Sequence, residues 1–329
     1  MGTFRSGLEL SAAFYAEVVA PQLDGVEHSA ALLGWGSDVL GYDTARSTDH
    51  GWGPRLQVFT DAIGVEIELP NSFAGHAVRF GWAGVEPRAW VEVMPLRSWL
   101  EQHLGFDASA GVEPVDWLLT PQQKLLGVVR GAVFVDPTGE LSAVRAALDW
   151  YPDQVWRWLL ACQWHRLAQE EAFVARTAEV GDVTGSVVSA ARQVRDLMRL
   201  ALLQDRKYAP YQKWLGMAFK ELSQDDRLAE HLDAASHGNE IALGEAYLTM
   251  AARHNASRLT PAVEAEVGAY HDRPARVIMA DRFSDALRRT VTDTFLRGLP
   301  LIGSVDQIVD NTDVLVDPAR YRRLVSLYQ

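Results

Sequence analysis

Apolar residues recur at helical spacing near the start of the chain, at Leu8, Leu10, Ala13, Phe14, Val18 and Val19. That pattern predicts an amphipathic helix over 8–20. "HSAALLGW" then reads as a short buried strand, and Gly34, Gly36 and Gly41 turn the next stretch into a glycine-rich loop. "PRLQVF" and "GVEIEL" alternate apolar and polar positions as strands do, with Gly64 near the turn between them. "HAVRFGW" and "AWVEVMPL" predict two further strands. Residues 1–105 therefore read as an α/β layer with a sheet of about four or five strands.

The period then changes. Residues 110–150 hold short helical stretches, among them "LSAVRAALDWY", and 151–180 and 184–206 carry two long amphipathic patterns. Helical spacing continues through "YQKWLGMAFKEL", "RLAEHLDAA" and "EIALGEAYLTMAARHN". The small, polar stretch "DASAGVEP" marks a boundary near residue 110. The expected organisation is α/β (α+β): a mixed-sheet domain over 1–110, then a mainly helical bundle over 111–329. No internal repeat or low-complexity segment interrupts it.

Length supports that division, since 329 residues exceed one small core. A hydrophobic content of 48%, a charged content of 22% and a net charge of −12 describe a soluble globular chain without a broad nucleic-acid surface. The single cysteine, Cys162, excludes an internal disulfide framework and a cysteine zinc site; its "WRWLLACQWHRL" setting predicts an inert buried thiol. No apolar run is long enough for a transmembrane helix. The start of the sequence lacks the pattern of a secretory leader. The expected compartment is the cytoplasm, with no membrane partner.

The loop "GWGSDVLGYDTARSTDHGWGPRLQVF" holds the candidate chemistry. Gly36-Ser37 offers free backbone N–H groups and a hydroxyl suited to phosphate. Asp49 lies just before a strand, where a carboxylate can hold Mg²⁺ for phosphoryl chemistry. Glu92, in "WVEVMPL", lies on a later strand and could complete a metal cage or act as a base. Each has a plainer reading. Ser37 fits a helix N-cap, Asp49 a turn, and Glu92 an exposed strand position that Glu66 and Glu68 rival. Asp38 and Asp43 are loop acids near enough to add a ligand. His50 fits a hydrogen-bonded side chain better than a ligand.

These residues resemble the polymerase-β-type nucleotidyltransferase superfamily, which carries Gly-Ser, then Asp-x-Asp, then an acid on a later strand. The chain is more closely similar to an uncharacterised branch called domain of unknown function 4037. The resemblance rests on "GLELSAAFYAEVVAP", "GWGSDVLGYDT", "STDHGWGPRLQVF", "AQEEAFVAR", "RKYAPYQKWLGMAF", "HNASRLT" and "GSVDQIVDNTDVL". It implies Mg²⁺-dependent transfer of a nucleoside monophosphate from an NTP such as ATP to a small-molecule hydroxyl. Asp49 and Glu92 would hold the metal, and Gly36 and Ser37 the phosphates. The departure is Gly51, which stands where the second carboxylate is expected. It opens an alternative: an inactive nucleotide- or ligand-binding protein on the same fold. AMP transfer to a protein partner is a further one.

The helical part adds three candidates. Glu171, in "AQEEAFVAR", could serve as general base toward an acceptor. Arg192, Arg195 and Arg199 share a helix face, and Arg195 with Lys213 could line a triphosphate site; pairing with Glu and Asp between helices is the equal alternative. Tyr208, Tyr211 and Trp214 could stack on a base or pack in the interior. Asp306, Asp310 and Asp313 imitate an acidic cluster but read as a capped helix start. The implied partners are an NTP and a small-molecule acceptor, not nucleic acid, with a homodimer left open. Eleven Trp and nine Tyr fit either a packed aromatic interior or a roomy acceptor cleft.

Overall fold

In the computed structural model, residues 4–222 and 227–329 are described. They form two compact units. One unit comprises residues 1–113, 122–149 and 316–322; the other comprises 114–121, 150–315 and 323–329. The first thus takes in chain well beyond the boundary that the composition marks near residue 110.

In chain order the first elements are α1 (Gly7–Phe14), β1 (Ser29–Leu32), α2 (Ser37–Leu40), β2 (Arg55–Phe59), β3 (Ser72–Phe73), β4 (His76–Ala77), β5 (Arg79–Trp82) and β6 (Val85–Met94). Then come α3 (Leu96–Leu104), α4 (Pro114–Leu119), α5 (Gln122–Val129), β7 (Ala132–Val135) and α6 (Glu140–Ala147). A capping box starts α1: Ser6 Oγ accepts the Glu9 N–H while the Glu9 carboxylate accepts the Ser6 N–H.

Five strands build a mixed sheet in the order β5-β6-β2-β1-β7. β2 runs parallel to β6, with Gln57 opposite Glu92, and the other pairings are antiparallel. The fold class expected of the sequence, a mixed α/β sheet followed by mainly helical chain, is the one found. Phe14, Val19, Leu23, Leu56, Val58 and Val78 form a buried core cluster of this unit.

Two expectations fail locally. "GVEIEL" forms no strand. Its alternation is real, because Val65, Ile67 and Leu69 pack on the core cluster. Its backbone, however, is held at Glu68 by the Gln22 side chain, which exchanges two hydrogen bonds with it in place of a ladder. Conversely, "AVFV" forms β7 inside a stretch read as helical, and it pairs with β1.

The helical unit contains α4 and continues with α7 (Asp153–Glu170), α8 (Phe173–Glu179), α9 (Val183–Gln204), α10 (Gln212–Lys220), α11 (Leu228–Ser236) and α12 (Glu240–Ala256). A hairpin of β8 (Gly268–Tyr270) and β9 (Arg273–Val277) precedes α13 (Asp281–Arg288). Residue spacing does not announce that hairpin. α7 is the central helix, buried nearly all round, and its Trp164 stacks on Phe283 at 4.6 Å between ring centroids. The Trp156 indole donates to the Leu203 carbonyl at 2.7 Å and locks α7 to α9. Tyr208 packs against Trp150 and Tyr151, so this part of the aromatic content is interior packing. Cys162 is buried, and burial pushes its thiol well above the usual range. No described helix is long and apolar enough to cross a membrane.

Candidate functional site

β1 leads into the loop that carries Trp35, Gly36 and Ser37. Gly36 has φ +115°, and a Cβ there would collide with Asp38 and Arg55. Those two side chains explain the glycine. The Arg55 guanidinium grips Asp38 with two hydrogen bonds, at 2.7 and 3.1 Å, and also donates to the Trp35 carbonyl. Both side chains are 2% exposed. This buried pair fixes the start of α2 against β2, and Ser37 begins α2 half-buried. Asp43 is likewise occupied, accepting the Gly7 N–H at 2.7 Å and the Trp52 indole N–H at 2.9 Å. Both loop acids are therefore committed to local structure, Asp38 through both oxygens and Asp43 through Oδ2.

Asp49 ends a short 3-10 turn, Ala45–Asp49, and is exposed. His50 packs its ring 5.3 Å from that of Trp82. Gly51 adopts φ +63°, a left-handed conformation that disfavours a side chain. A Cβ there would lie 2.7 Å from Trp35 Cζ3 and 3.3 Å from Trp82 Cζ3. The second carboxylate is thus absent, and indoles fill its space. Trp35, Trp82 and Trp90 form a cluster with centroids 5.3 to 5.4 Å apart. Arg55 lies 4.2 Å from the Trp35 ring centroid, a cation–π contact. Trp35 keeps 40% of its surface exposed.

Glu92 is half-buried on β6, and its Oε2 accepts the Gln57 side-chain N–H at 3.0 Å. Gln57 in turn accepts the Leu33 N–H at 2.9 Å. Glu92 is thereby tied across the sheet to the strand that feeds the Gly36-Ser37 loop. Among the described residues, no group of three or more His, Cys, Asp or Glu could hold a metal ion.

The remaining candidates belong to the helical unit. Arg195 pairs with Asp310 at 3.1 Å and approaches the buried Asp196, which Arg166 bonds at 2.8 Å. Arg192 pairs with Glu170 at 2.8 Å, and Arg199 donates to the Asp306 carbonyl at 3.1 Å. Within this helix face, the reading of arginines paired with carboxylates describes the contacts seen. Arg166, donating to the Gln307 carbonyl, and Arg199 together dock "GSVDQIVDNTDVL" onto α7 and α9. Lys213 lies on α10, its Nζ 4.8 Å from the Trp214 ring centroid.

Glu171 sits at the break between α7 and α8, 8% exposed. Its carboxylate accepts the Ile278 N–H at 3.1 Å and the Ala280 N–H at 3.2 Å. Burial raises its pKa to about 7, against the opposing pull of those backbone N–H groups and with help from Asp281. A carboxyl raised from 4.5 in the unfolded chain stabilises the fold fully below that value, and the contribution fades as pH rises through 7. Wild type should lose roughly 2–3 kcal/mol of stability to this group between about pH 4.5 and 8. In urea titrations, the stability difference between wild type and Glu171→Gln should shift by that amount across the window. A pH-independent difference would show that Glu171 does not titrate there.

The seven sequence candidates thus fall into two sets. Gly36, Ser37, Asp49 and Glu92 belong to the sheet unit, and Glu171, Arg195 and Lys213 to the helical unit. Sequence reasoning missed Trp35, Arg55, Gln57, Trp82 and Trp90. The one signal available was the charged Arg55 inside an apolar strand, which demands a buried partner.

Residues 117–215 match the family described as "Domain of unknown function (DUF4037)". The DUF4037 match includes Glu171, Arg195 and Lys213, and it does not extend to Gly36, Ser37, Asp49 or Glu92. A nucleotidyltransferase-like protein from Exiguobacterium sibiricum 255-15, known from a crystal structure, aligns over 88% of this chain and 91% of its own. Identity is 12% and the TM-score is 0.33, so the likeness adds nothing to the topology described above. No curated protein matches the chain.

Proposed function

We propose that the sheet unit binds a nucleotide without transferring it. Trp35, 40% exposed, supplies its ring to the base, and Gly36 and Ser37 supply polar groups to the phosphates. The observation that carries this reading is the indole packing beside Gly51. Mg²⁺ takes an octahedral shell of oxygens and is usually anchored by clustered carboxylates. Here Asp49 is exposed, Glu92 is bonded to Gln57, and Asp38 and Asp43 are engaged elsewhere. That donor set does not fit a protein-built Mg²⁺ cage. Binding energy then comes from stacking, worth about 1–3 kcal/mol per base.

A second reading is Mg²⁺-dependent transfer of a nucleoside monophosphate from ATP or another NTP to a small-molecule hydroxyl. It is supported by Glu92, which lies half-buried on β6 opposite Gln57 of β2, since the resembling superfamily carries an acid on a later strand. On that reading Asp49 and Glu92 hold the metal and phosphates supply further ligands.

The two readings separate in one experiment. Wild type is incubated with each α-labelled NTP, Mg²⁺, a panel of hydroxylated small molecules and a protein lysate. The binding reading expects retention of nucleotide and no labelled product. A labelled product lost in both Asp49→Ala and Glu92→Gln would install transfer, and a labelled lysate protein would install AMP transfer to a partner. Trp35→Ala should weaken nucleotide binding about 5- to 100-fold, and Trp35→Phe should restore most of it. Absence of binding by all four NTPs would overturn both readings of the site.

A further inference from the structure

The helical unit has a pocket of its own, which does not rest on the reading of the sheet unit. It is open to solvent and lined by Glu171, Val174, Leu243, Gly244, Tyr247 and Val267 among others. Glu171 is its one buried charge, and among the described residues no ion pair neutralises it. It is faced by the backbone N–H groups of Ile278, Met279 and Ala280, and the nearby Asp281 opposes ionisation. Arg276 also lines the pocket but is exposed and donates to the Val267 carbonyl. Tyr247 donates its hydroxyl to Gln193 at 2.9 Å, leaving its ring as wall. Glu240, a second carboxylate, is exposed among the lining residues. The walls are otherwise aliphatic.

A buried carboxylate without a counter-charge is costly, and a cation delivered with its own apolar body relieves that cost. We propose that this pocket binds a small organic cation, a primary ammonium on a short apolar chain, with Glu171 as its counter-charge. Gly244 controls access. A Cβ there meets nothing nearer than Val267 Cγ2 at 3.9 Å, so a larger side chain would enter the pocket. Gly244 lies within α12, where replacing glycine also raises helix propensity.

The test uses n-butylammonium, n-butanol and butyrate as probes of the full chain at pH 8, with binding read by calorimetry or ligand-observed NMR. The expected order is n-butylammonium about tenfold or more tighter than n-butanol, with butyrate not bound. Glu171→Gln should erase the preference for the ammonium. Gly244→Leu should abolish binding of both ammonium and alcohol without lowering the unfolding midpoint. Equal affinity for n-butylammonium and n-butanol, no binding of n-butylammonium by wild type, or unchanged binding by Gly244→Leu would each overturn the proposal.

Discussion

Asp38→Ala should destabilise the sheet unit by about 3–5 kcal/mol, because it leaves the Arg55 guanidinium buried without its carboxylate. The penalty falls on one spot. Arg55 is 2% exposed and bonds three oxygens, two from Asp38 and one from the Trp35 carbonyl. With Asp38 gone, two of those three bonds vanish in a place water does not reach. The start of α2 should then loosen, and with it the Gly36-Ser37 loop. Asp38→Asn keeps the shape and one acceptor and should cost less. The double variant Asp38→Leu with Arg55→Met removes both charges and should recover a large part of the loss. Urea unfolding of the three variants checks the order. If Asp38→Ala unfolds like wild type, the pair does not organise the loop.

Gly51→Asp should destabilise as well, and it should not create metal-dependent activity. On sequence alone this change is the natural repair, since it restores the Asp-x-Asp spacing. In the structure it meets two obstacles. The left-handed backbone at φ +63° costs a non-glycine residue about 1–2 kcal/mol, with aspartate at the tolerant end. The new side chain must also displace Trp35, whose Cζ3 lies 2.7 Å from the ideal Cβ position. Overpacking of that kind costs about 1–3 kcal/mol. The total expected loss is about 2–4 kcal/mol. Pairing Gly51→Asp with Trp35→Ala removes the Trp35 clash, so the double variant should lose less relative to Trp35→Ala than Gly51→Asp loses relative to wild type. Unfolding curves for all three variants, with label transfer measured alongside, test this. Robust Mg²⁺-dependent turnover by Gly51→Asp alone would contradict a site filled by indoles.

Much of the architecture was legible because it rests on period. The long patterns over 151–180 and 184–206 return as α7, α8 and α9, and the switch from strand to helix spacing is visible in the residues themselves. What period cannot give is pairing. "GVEIEL" has the alternation of a strand, yet Gln22 rather than a neighbouring strand takes up its Glu68 backbone. "AVFV" is too short for its period to separate strand from helix, and only β1 decides it. The partners of Glu171, at the break inside 151–180, are likewise the distant Ile278 and Ala280 amides.

The site was half legible for the same reason. Gly51 announces a missing carboxylate, but its consequence depends on Trp35 and Trp82, which come from other parts of the chain. Asp38 and Asp43 looked like spare ligands in the loop. Their engagement with Arg55, Gly7 and Trp52 is tertiary, and nothing in local spacing encodes it. Arg192, Arg195 and Arg199 were correctly placed on one helix face, and the carboxylates that meet them come from Glu170 and from the remote Asp310.

The central claim is that the sheet-unit site works without a protein-built metal cage. Calorimetric titration of ATP into wild type and Asp49→Ala, each with and without Mg²⁺, tests it most directly. Binding is expected in all four titrations, with dissociation constants within about threefold of one another. Binding that tightens about tenfold or more with Mg²⁺ in wild type, and loses that gain in Asp49→Ala, would contradict it.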